Sequence, residues 1–337
     1  MMPVEAAYPT DRIVLREVGL RDGLQLVKAW PSTDQKLYWL AQECAAGVTH
    51  FEVGSFLPAS RFPQFADLPG LLEFFRTRPK LHASALVLNE RGIDDAFTTN
   101  VAEIACVVSA TEEHSQANIR RSRSEAIDLV RGAVAKRNAT GHRALVSVGI
   151  AMAFGCSIAG DVKSEEVLNL VERCLEAGAD LVGIADTVGF AGPDQVFELS
   201  KAVHLLVGSG RFSVHLHDTR GMAIANASAA LDAGCRILDG SLGGLGGCPF
   251  APGATGNAVF EDLVFLCETK GYRTGIDLHA LTDVRRIQQA AMPAEQLYGA
   301  IARAGVPTNI QWAKGENRQQ QAQVQGGRDE ETYIPAR

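Results

Sequence analysis

Residues 13–25 read IVLREVGLRDGLQ. Ile13 to Val18 alternates apolar and charged side chains with a β-branched bias, which is the pattern of a strand, and the strand breaks at Gly19. Just past the break, Arg21 and Asp22 precede Gly23. A guanidinium and a carboxylate therefore sit side by side in a turn at the strand's C-terminal end, where parallel-sheet enzymes keep their chemistry. Taken alone, Arg-Asp-Gly is better read as a surface turn with a weak ion pair. What the rest of the chain sends to the same place decides between the two readings.

Working outward, Asp34 to Ala46 carries apolar residues at helical spacing, and Gly47 stops it as a C-cap would. A strand follows at Val48 to Val53. Further β-rich runs fall at Leu81 to Val87, Glu103 to Ser109, Ala144 to Ala151, Leu181 to Ala185, Phe212 to His215 and Arg236 to Leu238. Helix-like segments such as Glu165 to Ala177, Pro193 to Leu206 and Ala223 to Ala233 lie between them. Three helices close on the phrase Ala-Gly, at 46–47, 177–178 and 233–234. Eight strands in strict alternation with helices predict an α/β fold, a (β/α)8 TIM barrel. The expected organisation is a barrel over 12–280, a short C-terminal helical extension over 281–306 broken near Pro293, and a polar, glutamine-rich tail over 307–337 expected to be disordered.

With 337 residues the chain has room for one large barrel or two ordinary domains. A net charge of -7 and a pI near 5.7 argue against a nucleic-acid or anionic-membrane surface, since both need concentrated positive charge. The basic cluster Arg120, Arg121 and Arg123 falls where a helix begins and reads as a solvated face. No apolar run approaches the ~18 residues of a membrane span. The N-terminal lead lacks the apolar core of a signal peptide, so a cytoplasmic protein is expected. Seven cysteines, with no CxxC spacing, give no disulfide framework.

Polar residues at the C-terminal strand ends face one mouth of such a barrel. Strand one gives Arg21 and Asp22, strand two Glu52, strand six Asp186, strand seven His215 and His217, and the loop after strand eight Cys248 and Asn257. In His215-Leu216-His217 the imidazoles are two residues apart and share one face of the strand. With Asp22 they make a mixed nitrogen and oxygen donor set, suited to Mg²⁺, Mn²⁺ or another divalent ion rather than to structural zinc. The loop GGLGGCPFAPGATGN, 243–257, fails the dinucleotide pattern G-x-G-x-x-G. It carries Cys248 between Gly247 and Pro249, outside any apolar run, which favours a reactive thiol over a core filler. Asn257 can equally be read as the N-cap of the helix that follows.

At these residues the sequence resembles the 3-hydroxy-3-methylglutaryl-CoA lyase family of the DRE-TIM metallolyases, from about Ile13 to Leu278. EVGLRDGLQ is similar to the family's first-strand signature, FEVGSFLPASRFPQFAD to its second-strand segment and IADTVG to its sixth. VHLHDTRGMAIAN resembles the metal-binding strand, and GLGGCPFAPGATGN the catalytic-cysteine loop. The resemblance implies metal ligation by Asp22, His215, His217 and Asn257. It implies catalytic roles for Arg21, Glu52, Asp186, His215 and Cys248, with Arg21 and Lys28 meeting an acyl-CoA substrate, and a homodimer. The implied reaction cleaves 3-hydroxy-3-methylglutaryl-CoA to acetyl-CoA and acetoacetate. A lyase acting on another 3-hydroxyacyl-CoA or a hydroxy acid is the alternative, ahead of a Claisen synthase or a non-catalytic acyl-CoA-binding barrel. Three stretches depart from the family pattern: Leu26-Val27, Cys156-Ser157-Ile158 and the segment AAMPAEQLYGAIARAGV at 290–306. All three lie outside the metal and catalytic set, so the chemistry is better supported than the substrate.

Overall fold

The computed structural model describes residues 3–247 and 256–308. Its eight strands are β1 (Val14–Glu17), β2 (His50–Ser55), β3 (His82–Leu86), β4 (Glu103–Ser109), β5 (Leu145–Ala151), β6 (Leu181–Asp186), β7 (Phe212–Leu216) and β8 (Ile237–Gly240). They pair in chain order, all parallel, and β1 closes against β8 with Arg16 opposite Asp239. This is the TIM barrel expected from the alternating pattern, with strand limits within a few residues of those read from the sequence. Strands covered on both faces carry few exposed residues, and all five residues of β3 are buried.

The Ala-Gly phrases have a steric cause. After helix Ser164–Glu176, Gly178 adopts φ +94°, and a Cβ there would approach Val134 Cγ1 to 2.9 Å. Only glycine makes that turn into the next strand without strain. Elsewhere caps fix the helix starts: Ser32 with Gln35 and Ser122 with Glu125 form reciprocal capping boxes.

Two features were not foreseen. The β4–β5 connection holds two helices, Glu112–Ile119 and Arg123–Thr140. Of the basic cluster, Arg120 ends the first in a left-handed conformation (φ 56°), Arg121 forms a two-pronged pair with Glu90 at 2.7 and 2.9 Å, and Arg123 opens the second. At the N-terminus, the helical turn Val4–Ala7 and the fully buried Tyr8 pack against Val14, Leu145, Leu181 and Ile237. These residues begin β1, β5, β6 and β8, so the segment closes the bottom of the barrel. Tyr8 Oη donates to Glu103 Oε2 at 2.7 Å, and its ring packs against His50 and His82 with centroids 5.3 and 5.4 Å away. After the barrel, helix Leu278–Ala291 lies beside helix Thr33–Ala45 and is followed by the short helix Ala300–Ala304. Of the predicted tail over 307–337, residues 309–337 lie outside the described residues.

Candidate active site

The turn after β1 is wider than an ordinary tight turn. Residues Gly19–Gly23 form one π-helical turn in which the N–H groups of Arg21, Asp22 and Gly23 all converge on Val18 O at 3.1, 2.8 and 3.2 Å. Single π turns of this kind recur at functional sites because they displace side chains from the regular path. Gly19 leaves the room that Glu17 and Trp39 fill, since a Cβ would meet Glu17 Oε1 at 2.5 Å and Trp39 Cζ2 at 3.0 Å and force those side chains to shift. The turn delivers Arg21 and Asp22 to the mouth of the barrel. Arg21 Nη1 donates to Asp22 Oδ1 at 2.5 Å and to Gln25 Oε1 at 3.2 Å, and its Nε lies 2.7 Å from Glu52 Oε2 on β2.

From the far side β7 brings His215 and His217, whose ring centroids are 5.1 Å apart. Their Nε2 atoms lie 3.7 and 3.5 Å from Asp22 Oδ2. One ligand atom from each of Asp22, His215 and His217 falls within 4.8 Å of the others. Burial by itself would raise the Asp22 pKa, but Arg21 and the two imidazoles overcome it and hold the carboxylate well below its usual range. Glu52 is shifted the other way, its burial only partly offset by Arg21.

A cation fits this group. Asp22 Oδ2 is buried and has no hydrogen-bond partner among the described residues, and the same holds for Asn257 Oδ1. Asn257 bridges His217 in an antiparallel backbone contact, and its Nδ2 donates to Leu245 O at 3.1 Å. Its amide is thereby oriented with the oxygen unspent. Two buried oxygens and two imidazoles without a competing donor make a nitrogen and oxygen set for a hard divalent ion.

The structure adds two residues that the sequence reading overlooked. Asp239, at the end of β8, hydrogen-bonds His215 Nδ1 at 3.2 Å and takes Arg16 Nε and Nη2 at 2.6 and 2.8 Å. It holds the imidazole from behind, as outer carboxylates commonly do for metal-bound histidines. Despite the burial that opposes it, Asp239 has its pKa drawn down to about 2 by Arg16 and His215. The signal was present in the sequence: β8 reads Ile-Leu-Asp-Gly, and ending the strand at Leu238 left out the residue at its tip.

Two predicted site residues fall elsewhere, and a third lies outside the described residues. Asp186 is buried, does not line the cavity, and accepts the N–H groups of Phe190 (2.8 Å) and Ala191 (3.1 Å), so it anchors the loop after β6. Lys28 is exposed beyond the cavity wall. Cys248 lies outside the described residues. Arg21, Asp22, Glu52, His215 and His217, on the strands or just past their C-terminal ends, line one cavity of about 270 Å³.

A closed parallel barrel with an Asp-His-His group opening on a cavity at the strands' C-terminal ends defines a TIM-barrel enzyme with a candidate metal centre. The HMGL-like family model matches residues 12–287, and the chain belongs to that family. It is thus a carbon–carbon lyase of a metal-dependent family. A hydroxymethylglutaryl-CoA lyase of Bacillus subtilis is 35% identical over 277 residues, covering 81% of this chain and 91% of that protein. A 3-hydroxy-3-isohexenylglutaryl-CoA/hydroxymethylglutaryl-CoA lyase of Pseudomonas aeruginosa is 35% identical over 272 residues, covering 81% and 90%. Among solved structures, an HMG-CoA lyase from Acinetobacter baumannii in complex with coenzyme A and 3-methylmalate superposes with a TM-score of 0.83. It is 34% identical and covers 90% of this chain and 98% of its own.

Proposed function

We propose that the chain cleaves the C2–C3 bond of a 3-hydroxyacyl-CoA, with 3-hydroxy-3-methylglutaryl-CoA as the reference substrate and acetyl-CoA and acetoacetate as products. The observation that carries this reading is the cluster of Asp22, His215 and His217 beside Arg21 at one cavity mouth. Asp22, His215, His217 and Asn257 would hold Mg²⁺ or Mn²⁺. Such an ion supplies Lewis acidity that lowers the pKa of the substrate hydroxyl, an effect of several kcal/mol.

The chain's own groups account for the rest. Breaking the C2–C3 bond turns the carbinol into a ketone and leaves an enolate on the thioester. Arg21, fixed by Glu52 and Gln25, points a permanent cation at the cavity and suits the developing enolate oxygen. A thiol at Cys248 would return a proton to C2, for which an ordinary pKa near 8.5 is workable. Asp186 is occupied by backbone amides, which leaves His215 as the acceptor of the hydroxyl proton between the two residues proposed for it. Asp239 engages His215 Nδ1, so Nε2 alone faces the site. Ligation and proton acceptance draw on that one nitrogen and exclude each other at any instant.

Purified protein with Mg²⁺ or Mn²⁺ should release acetyl-CoA from 3-hydroxy-3-methylglutaryl-CoA, and chelator should stop it. Absence of C–C cleavage across a panel of 3-hydroxyacyl-CoA thioesters refutes the reading. The proposed assembly is a homodimer, testable by light scattering. The proposed location is cytoplasmic: among the described residues no helix is long and apolar enough to cross a membrane.

A further inference from the structure

The cavity does not stop at the candidate metal centre. On β4, β5 and β6 the inward residues Ala105, Val107, Gly149, Ala151, Gly183 and Ala185 are only half-buried, although they sit inside the barrel, while their alternate neighbours are sealed against the helices. A (β/α)8 interior is ordinarily filled by layers of bulky branched side chains. Here five of those six positions are glycine or alanine, and the missing volume forms a shaft beneath His215 and Asp22. Both Ala151 and Ser147 line it, four residues apart on β5, which corresponds to about 13 Å along a strand. Its deep end is Leu181, the first residue of β6.

The deep end is polar as well. Arg16, Ser84, Ser147 and Ser213 line it. The hydroxyls of Ser84 and Ser147 donate to Phe51 O (3.1 Å) and Ile104 O (3.4 Å), which leaves their oxygens as acceptors. Arg16 Nη1, a donor, lies 3.6 Å from Glu103 Oε1, beyond hydrogen-bond distance. The Arg16 cation is already balanced by Asp239 on one side and faces Glu103 on the other. A further carboxylate there would meet two like charges with no free cation, whereas an uncharged group that both donates and accepts meets neither obstacle.

We propose that the shaft receives a substituent on the carbinol carbon of the substrate, several atoms longer than methyl and ending in an uncharged hydrogen-bonding group such as a hydroxyl. The inference rests on the lyase reading above and narrows its substrate class. Gly149 gives the means to test it. A Cβ there would meet nothing closer than Cys106 O at 3.9 Å, so a larger side chain can start from this position without a clash at its first atom, and Gly149→Leu is the variant that narrows the shaft.

The experiment measures kcat/KM for wild type and Gly149→Leu, each with Mg²⁺, on 3-hydroxy-3-methylglutaryl-CoA and on analogues carrying butyl or 4-hydroxybutyl in place of the methyl. Wild type should prefer the 4-hydroxybutyl thioester. Gly149→Leu should lower the ratio of 4-hydroxybutyl to methyl kcat/KM by about tenfold or more, the scale on which apolar pockets discriminate by size. Should that variant not fold, Ala105→Leu reads the same ratio from the opposite wall. A wild type that favours methyl, with a ratio unmoved by filling, overturns the inference and leaves the lyase reading intact. Butyl preferred over 4-hydroxybutyl overturns the polar terminus. No cleavage of any thioester removes the lyase reading and the inference together.

Discussion

Replacing Asp239 by asparagine preserves the shape of the side chain and removes its charge. Two effects follow. Arg16 loses a two-pronged partner at 2.6 and 2.8 Å inside the barrel, and removing one member of a buried ion pair costs about 3–5 kcal/mol. Arg16 keeps Glu103 at 3.6 Å and is 13% exposed to the cavity, which places the expected loss at the lower end, about 3 kcal/mol. The second effect falls on His215: an amide nitrogen turned toward Nδ1 donates where the carboxylate accepted, favouring the wrong imidazole tautomer. Loss of such an outer carboxylate typically weakens metal binding by about 10–100-fold. Urea unfolding followed by circular dichroism measures the first effect, and calorimetric titration with Mn²⁺ the second. A folded Asp239→Asn protein that binds Mn²⁺ within about twofold of wild type, well short of that range, refutes the view that Asp239 sets the histidine.

Three other outcomes are expected. His217→Gln should lose bound metal and turnover together, while His215→Gln separates its two assignments: retained Mn²⁺ with lost turnover identifies a proton acceptor, and lost Mn²⁺ a ligand. Cys248→Ala should lose most turnover and keep its metal, and unimpaired turnover removes that thiol from the mechanism. Glu17 and Glu43 are both buried, and burial raises both carboxyl pKa values: Glu17 to about 8, with repulsion from Glu261 and Glu52 adding to it, and Glu43 further through repulsion from Glu17. A carboxyl raised on folding contributes stability that is complete below its unfolded pKa near 4.5 and is lost as pH rises through its folded value. Stability from denaturant titration should therefore fall between about pH 4.5 and 8, and Glu43→Gln should flatten that fall; an unchanged slope counts against the pair.

The barrel was legible because its strands are short β-rich runs separated by helices of regular length, and each Ala-Gly phrase marks a helix end that sterics reserve for glycine. The Asp22, His215 and His217 group was legible because strand periodicity places residues two apart on one face. What escaped the sequence depends on long-range pairing. Arg16 and Asp239 are 223 positions apart, and only barrel closure makes them partners. Tyr8 precedes the first strand, and nothing local shows that it will be buried under Glu103 and His82. The small residues of β4, β5 and β6 look like weak strand formers in the sequence. Only the closed sheet shows that they enclose empty space.

Leu181 belongs to two surfaces at once. It ends the shaft from above, and it packs with Tyr8, Val14, Leu145 and Ile237 from below. The N-terminal turn thus acts as a cork beneath the layer of Val14, Leu145, Leu181 and Ile237 that floors the reaction chamber. Withdrawing Val4 to Tyr8 would leave only the strand residues Val14, Leu145, Leu181 and Ile237 as that partition and thin the floor of the pit. Water that the mouth excludes could then reach the site from beneath. Integrity of Val4 to Tyr8 is therefore a condition for keeping a reactive enolate dry, although none of these residues approaches the chemistry.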